Sequence, residues 1–531
     1  MQIFLYDTTL RDGTQREGLS LSLADKLKIA RELDRFGMHY IEGGWPGSNP
    51  KDAAFFAEAA KIEWKHAKIA AFGSTRRANS KPETDANLKA LLDANTPVVT
   101  LVGKSWTLHV TEVLETTLEE NLAMIRDSVA LMKANGKEVI YDAEHFFDGF
   151  RADNRYALAT ISAAAEAGAD WIVLCDTNGG SLPDWISAVV QQVKGKIKTQ
   201  LGIHTHNDSE LAVANSLAAI VAGCRQVQGT INGYGERCGN ANLISIIPNL
   251  QVKMGMFCVL PDQLQRLTEL SRTVSEIANL NPDEHAAYVG NSAFAHKGGI
   301  HVAAVAKVEH SYQHIDPVQV GNRKRVVISE LSGRGNIKMR AEELGVESAG
   351  LERGVLERVK LLESKGFQFE AAEGSFELLV RRAAADYTAP FKLLDVVTIV
   401  EQRRGVEMQA EATVKLQIGE EIYHTAASGN GPVNALDQAM RKALLTRYPE
   451  LADVHLVDYK VRILDSESAT GATTRVLIEA AMGEERWTTV GCSENIIEAS
   501  WQALVDSLEL PLVRAQSNQP VLLKHAETVA A

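Results

Sequence analysis

Eight short apolar runs, rich in β-branched residues, recur through roughly the first 235 residues with helical periodicity between them. That alternation limits the folds open to this chain more than any other feature. The runs are 3–6, 39–42, 68–72, 98–102, 138–141, 171–174, 201–204 and 226–231. Helical patterns at 22–36, 118–134, 155–167, 182–193 and 210–221 lie between them. Gly37, Gly136, Gly168 and Gly223 stand where helices commonly end on a left-handed residue. Strands separated by helices need crossover connections, so they are expected to be parallel. An open doubly wound sheet and a closed (β/α)8 barrel both satisfy that pattern.

The polar residues choose between them. Most of the runs end in groups suited to chemistry, among them Asp7 to Asp12, Glu42, Lys104, Glu144, Thr177, His204 and His206. An open sheet gathers ligand groups only near its switch point, whereas a barrel brings all eight strand ends to one mouth. The spacing therefore predicts a (β/α)8 TIM barrel. No Gly-x-Gly-x-x-Gly follows the first run, which removes the commonest nucleotide-binding alternative.

Composition narrows the function classes. Fifty-five Lys and Arg against 68 Asp and Glu give a net charge of −13, unsuited to nucleic-acid binding by charge. No apolar run is long enough to cross a membrane. The opening residues lack a basic region and a small-residue cleavage site, so a signal peptide is not expected. Five scattered cysteines include no Cys-x-x-Cys pair, which fits a reducing cytoplasm.

His204 and His206 alternate along one strand, so both imidazoles can face the mouth. Asp12 follows the first strand, which closure would place beside the last ones. One carboxylate and two neutral imidazoles suit a divalent metal such as manganese, magnesium or zinc, with positions left for a substrate. Asn240 either completes that set, buttresses it, or caps a helix. Arg11 reads either as a structural ion pair or as a group that stabilises charge on a substrate oxygen. Glu144 is a candidate base, water-positioner or histidine orienter, or else a solvated loop carboxylate. Thr177 offers a hydroxyl to a substrate carboxylate or to a helix cap.

Three motifs carry a family resemblance. Asp7-Thr-Thr-Leu-Arg-Asp-Gly-Thr-Gln15 resembles the first signature of the 2-isopropylmalate/homocitrate/citramalate synthase family. Leu-Gly-Ile-His-Thr-His-Asn-Asp at 201–208 resembles its second, and Gly235-Glu-Arg-Cys-Gly-Asn-Ala241 its third. The resemblance implies condensation of acetyl-CoA with a 2-oxo acid. It makes Asp12, His204 and His206 the metal ligands with Asn240 adjacent, Arg11 and Glu144 catalytic groups, and Thr177 a contact to the oxo acid. Glu210 departs from the pattern, standing where glycine is usual; because 210 is expected to open a helix, the difference reads as one of subgroup.

Beyond about 270 the alternation gives way to helical patterns, roughly 344–365 and 370–385. Ala295-His-Lys-Gly-Gly-Ile-His301 and the stretch 312–321 resemble the family's linker subdomains, which makes His301 and Tyr312 a catalytic histidine and tyrosine. From 391 three strand patterns (393–401, 409–417, 422–427) precede a helix, and the scheme repeats at 456–464, 475–480 and 486–490 before a helix at 495–508. A duplicated α+β (βββα)2 unit is expected. It resembles the family's regulatory domain, which implies a homodimer and an amino-acid effector. The expected domains are thus a catalytic barrel at 1–270, helical linker subdomains at 271–389 and a regulatory domain at 390–515, with fraying after about 512.

Residues 42–52 are similar to the citramalate-forming branch. That similarity implies pyruvate as acceptor, (R)-citramalate as product, a threonine-independent route to isoleucine, and isoleucine as effector. The alternatives are a 2-oxoisovalerate-using synthase, a metal-dependent acyl-CoA lyase or aldolase, and an amino-acid sensor without catalysis.

Overall fold

The computed structural model describes residues 1–402 and 408–516. They form two compact units, Met1–Phe294 with Ile315–Arg323, and Ala295–His314 with the remainder from Lys324.

The first unit contains a closed barrel of eight parallel strands in sequence order. These are β1 (Phe4–Asp7), β2 (Tyr40–Gly44), β3 (Lys68–Ser74), β4 (Val98–Lys104), β5 (Glu138–Glu144), β6 (Trp171–Asp176), β7 (Gln200–Thr205) and β8 (Gln226–Gly229). Closure runs through β1 and β8, with Leu5 opposite Val227 and Asp7 opposite Gly229. Alternation along each strand divides the core into two layers. Tyr6, Tyr40, Val98, Ile140, Trp171 and Val173 fill the interior. Leu5, Ile41, Val99, Val139, Ile172 and Ile203 pack against the surrounding helices.

Local chemistry sets the element ends. Ser22 and Asp25 form a reciprocal capping box at the start of the helix Leu23–Phe36, and Gly37 closes it in the left-handed conformation at φ 97°. Strand β8 is shorter than 226–231, because Asn232 turns left-handed within a tight turn at Ile231–Gly233. The helix expected from 210 begins at Ala212. Glu210 itself has φ 59°, so it does not open the helix. That is the backbone state in which glycine pays no steric cost, which accounts for the glycine usual there.

In the second unit β9 (Ala295–His296) pairs with β10 (Arg325–Val326). Helices Arg334–Glu343, Glu352–Ser364 and Glu373–Arg382 follow. The expected helix 344–365 is interrupted at its start by left-handed Gly345 and Gly350. Two antiparallel sheets come next, β11 (Lys392–Glu401), β12 (Gln409–Ile418) and β13 (Glu421–Gly429), then β14 (Val454–Ile463), β15 (Thr474–Met482) and β16 (Glu485–Ser493). Each is followed by a helix, Pro432–Leu444 and Ile496–Gln516, and both halves contribute to one apolar core. The last helix runs through Pro511 to Gln516 and does not fray at 512, since Leu510, Leu512 and Val513 are buried. The rest of the expected tail, 517–531, lies outside the described residues. No helix among the described residues is long and apolar enough to cross a membrane.

Candidate active site

The loop after β1 is tied by backbone bonds from Arg11 and Gly13 to the Thr8 carbonyl (3.2 and 3.0 Å), which sets Arg11 and Asp12 at the mouth. Across from them the end of β7 presents His204 and His206. Asp12 Oδ2 lies 3.5 Å from His204 Nε2 and 4.0 Å from His206 Nε2, and the two Nε2 atoms are 3.3 Å apart. All three residues are buried. Among the described residues they are the group whose donor atoms sit together as a metal requires.

The donors fit a divalent cation. Asp12 Oδ1 and Asn240 Oδ1 are buried without a hydrogen-bond partner, a costly state that a cation would relieve. Burial works against charge on Asp12, but Arg11, both imidazoles and the Asn240 amide outweigh it and hold the carboxyl below its usual range. Burial and His204 push His206 down to about 4, so its imidazole is neutral and competent to ligate at ordinary pH. Asn240 is not the helix cap: Asn242 takes that position, accepting from Ile244 N at 3.0 Å.

Arg11 is both ion-paired and on the cavity wall. Its Nε donates to Glu42 Oε1 at 2.6 Å, Nη1 lies 3.4 Å from Asp12 Oδ2, and the guanidinium sits 3.8 Å from the centre of the Phe72 ring. Glu42 is fully buried and also accepts from Tyr6 Oη and from Thr8 Oγ1 (2.6 Å). Glu144 ends β5 and pairs with Lys104 at the end of β4, so it is not a solvated loop carboxylate. Thr177 Oγ1 accepts from His145 N at 2.9 Å, leaving its hydrogen free for a substrate carboxylate.

These groups line one cavity of ≈660 Å3, which includes Arg11, Asp12, Glu144, Thr177, His204 and His206. The sequence reading missed four residues. Trp45 and Phe72 meet edge to face at 5.6 Å and form an aromatic wall. Arg237 clasps Asp208 (2.7 and 2.9 Å) and donates to the Thr177 carbonyl (2.7 Å). Asp142 faces the cavity, its pKa pushed up to about 8 by burial and then by Glu42. Position on an inward-facing strand residue was the available signal for Phe72 and Asp142. His301 and Tyr312 belong to the second unit, where their rings stack at 4.3 Å and 24° and both are exposed.

Comparison with known proteins agrees with this architecture. Residues 2–274 match the HMGL-like family, 288–366 the homocitrate synthase post-HMGL domain-like family, and 370–511 the LeuA allosteric (dimerisation) domain. The (R)-citramalate synthase of Geobacter sulfurreducens is 54% identical over 516 residues, covering 96% of this chain and 98% of that one. That of Synechocystis is 54% identical over 527 residues, 96% of each. The 2-isopropylmalate synthase of Pseudoalteromonas atlantica reaches 32% over 517 residues, 96% of this chain and 95% of that one. The chain belongs to the HMGL-like family and, within it, to the group of (R)-citramalate synthases.

Proposed function

We propose that the barrel mouth joins acetyl-CoA to pyruvate, giving (R)-citramalate and free CoA. One observation carries the reading: Asp12, His204, His206, Arg11, Glu144 and Thr177 converge on a single cavity. The choice of pyruvate over 2-oxoisovalerate follows the relatives, 54% identical for (R)-citramalate synthases against 32% for a 2-isopropylmalate synthase.

Asp12, His204 and His206, with Asn240 beside them, would hold the cation. Manganese, magnesium or zinc bound there supplies Lewis acidity to the carbonyl of the oxo acid. Thr177 orients the oxo-acid carboxylate. A proton leaves the acetyl methyl to a base, for which Glu144 stands in the cavity and His301 is a candidate on its motif alone, as the new C–C bond forms at the ketone carbon. Arg11 stabilises the negative charge that gathers on the ketone oxygen, which then takes a proton. Water cleaves the thioester and releases the CoA thiol, which makes the sequence irreversible. Tyr312 is assigned a catalytic role on the motif alone.

The regulatory reading rests on the match of 370–511 to an allosteric (dimerisation) domain. It comprises a homodimer and isoleucine as effector; the unpaired, scattered cysteines support a cytoplasmic enzyme, and the proposed product would open a threonine-independent route to isoleucine. The division into 1–270, 271–389 and 390–515 follows the sequence patterns; the first boundary lies near the end of the HMGL-like match at 274, whereas the match to the allosteric domain begins at 370, ahead of 390. Thiol release from acetyl-CoA, measured with pyruvate and with 2-oxoisovalerate, tests the assignment. A clear preference for pyruvate is expected; preference for 2-oxoisovalerate makes the enzyme a 2-isopropylmalate synthase. Unchanged rates in millimolar isoleucine would remove the effector.

A further inference from the structure

Strand β8 places Gln228 opposite His204 of β7, and both side chains point into the barrel. His204 Nδ1 is 2.9 Å from Gln228 Oε1. An amide oxygen only accepts, so Nδ1 carries the hydrogen and Nε2 turns a bare lone pair toward Asp12 and His206. The amide has its own constraint. Gln228 Nε2 donates to Asp142 Oδ1 at 3.0 Å, which accepts as the carbonyl oxygen of a neutral acid, and lies 3.4 Å from Gln226 Oε1. Flipping the amide would turn its oxygen toward the Asp142 and Gln226 oxygens, and its nitrogen would then suit only the other tautomer of His204. A chain of three side chains therefore crosses the barrel interior from β5 through β8 to β7.

We propose that Gln228, held by Asp142, is a positioning residue that fixes the ligating tautomer and ring orientation of His204. The proposal rests on the reading of Asp12, His204 and His206 as metal ligands. Gln228 is neutral and buried, so its contribution is direction and not charge. His206 lacks the device: its Nδ1 is buried with no hydrogen-bond partner. The barrel thus builds one pre-oriented imidazole and one that finds its orientation through the metal. Removing an outer partner of this kind typically weakens metal binding about 10- to 100-fold.

Two measurements on the full-length protein test this. In metal-free protein labelled with ¹⁵N-histidine, the His204 signal, identified by its loss in His204→Ala, is expected to show a protonated Nδ1 and a bare Nε2. Protonation at Nε2 overturns the proposal, and this arm needs no change at Gln228. Titration calorimetry with manganese(II) should give about 10- to 100-fold weaker binding in Gln228→Leu. In Gln228→Glu, which keeps one oxygen toward Nδ1 and accepts the proton of the neutral Asp142 on the other, affinity should return to within a few-fold of wild type. Equal affinity in Gln228→Leu, or no recovery in Gln228→Glu, overturns the proposal. Wild-type protein that binds neither manganese(II) nor zinc(II) defeats the ligand assignment of Asp12, His204 and His206 and the proposal with it, a failure distinct from the others.

Discussion

Arg11 touches Glu42, Asp12 and the Phe72 ring at once, and only a planar guanidinium can meet all three. A lysine there keeps the charge but loses the fork and the stacking. Arg11→Lys is therefore expected to lower kcat by about 10²- to 10³-fold with KM for pyruvate little changed, as steady-state kinetics would read. A rise in KM alone would make Arg11 a simple binding residue. Asp142 gives a second prediction. Its folded pKa, raised from 3.8 to about 8, means the fold favours the neutral acid. The associated stability is complete below pH 4 and is lost as pH rises through 8. Asp142→Asn should therefore gain thermal midpoint relative to wild type between pH 5 and 8.5, read by circular dichroism; a constant difference across that window contradicts the buried-acid reading.

Among the elements, β2 and the helix Pro50–Ala59 show how packing serves the cavity. Lys26 Nζ donates to Asp52 and to the Gly43 carbonyl (3.2 Å), while Asp52 Oδ2 accepts from Trp45 N (2.9 Å). Any side chain at Gly43 would overlap the Phe55 ring. The buried pair is thus a clamp that sets the loop carrying Trp45. Lys26→Met leaves Asp52 uncompensated and should cost about 3–5 kcal/mol in urea unfolding of the barrel. A loss under about 1 kcal/mol would show the pair to be dispensable. The clamp also marks where sequence reading ended. All eight strands and the alternation of His204 and His206 were legible, because periodicity and chain order act locally. The Lys26–Asp52 pair and the Glu42 hub were not, since each rests on side-chain contacts between neighbouring strand–helix units that periodicity does not mark. The Gln228 chain was not, since Asp142 and Gln228 meet only across the closed barrel. Glu210 misled for the opposite reason: a left-handed residue leaves no mark on hydrophobic periodicity.

At the scale of the whole molecule, the outer strands β11 and β14 of the duplicated domain both carry exposed apolar side chains. Val397 and Ile399 on β11, with Leu456 and Ile463 on β14, are between 47% and 57% exposed. If a second copy covers them, the paired change Ile399→Glu with Ile463→Glu should halve the mass seen by light scattering; an unchanged dimer would place the interface elsewhere. The barrel's account stands on one cation held between the first strand's loop and the seventh strand. The direct test is thiol release from acetyl-CoA and pyruvate by protein stripped with chelator, before and after one equivalent of divalent metal per chain. Silence before and recovery after are expected, with no recovery in His204→Ala. Full activity in the stripped protein would contradict a role for the cation.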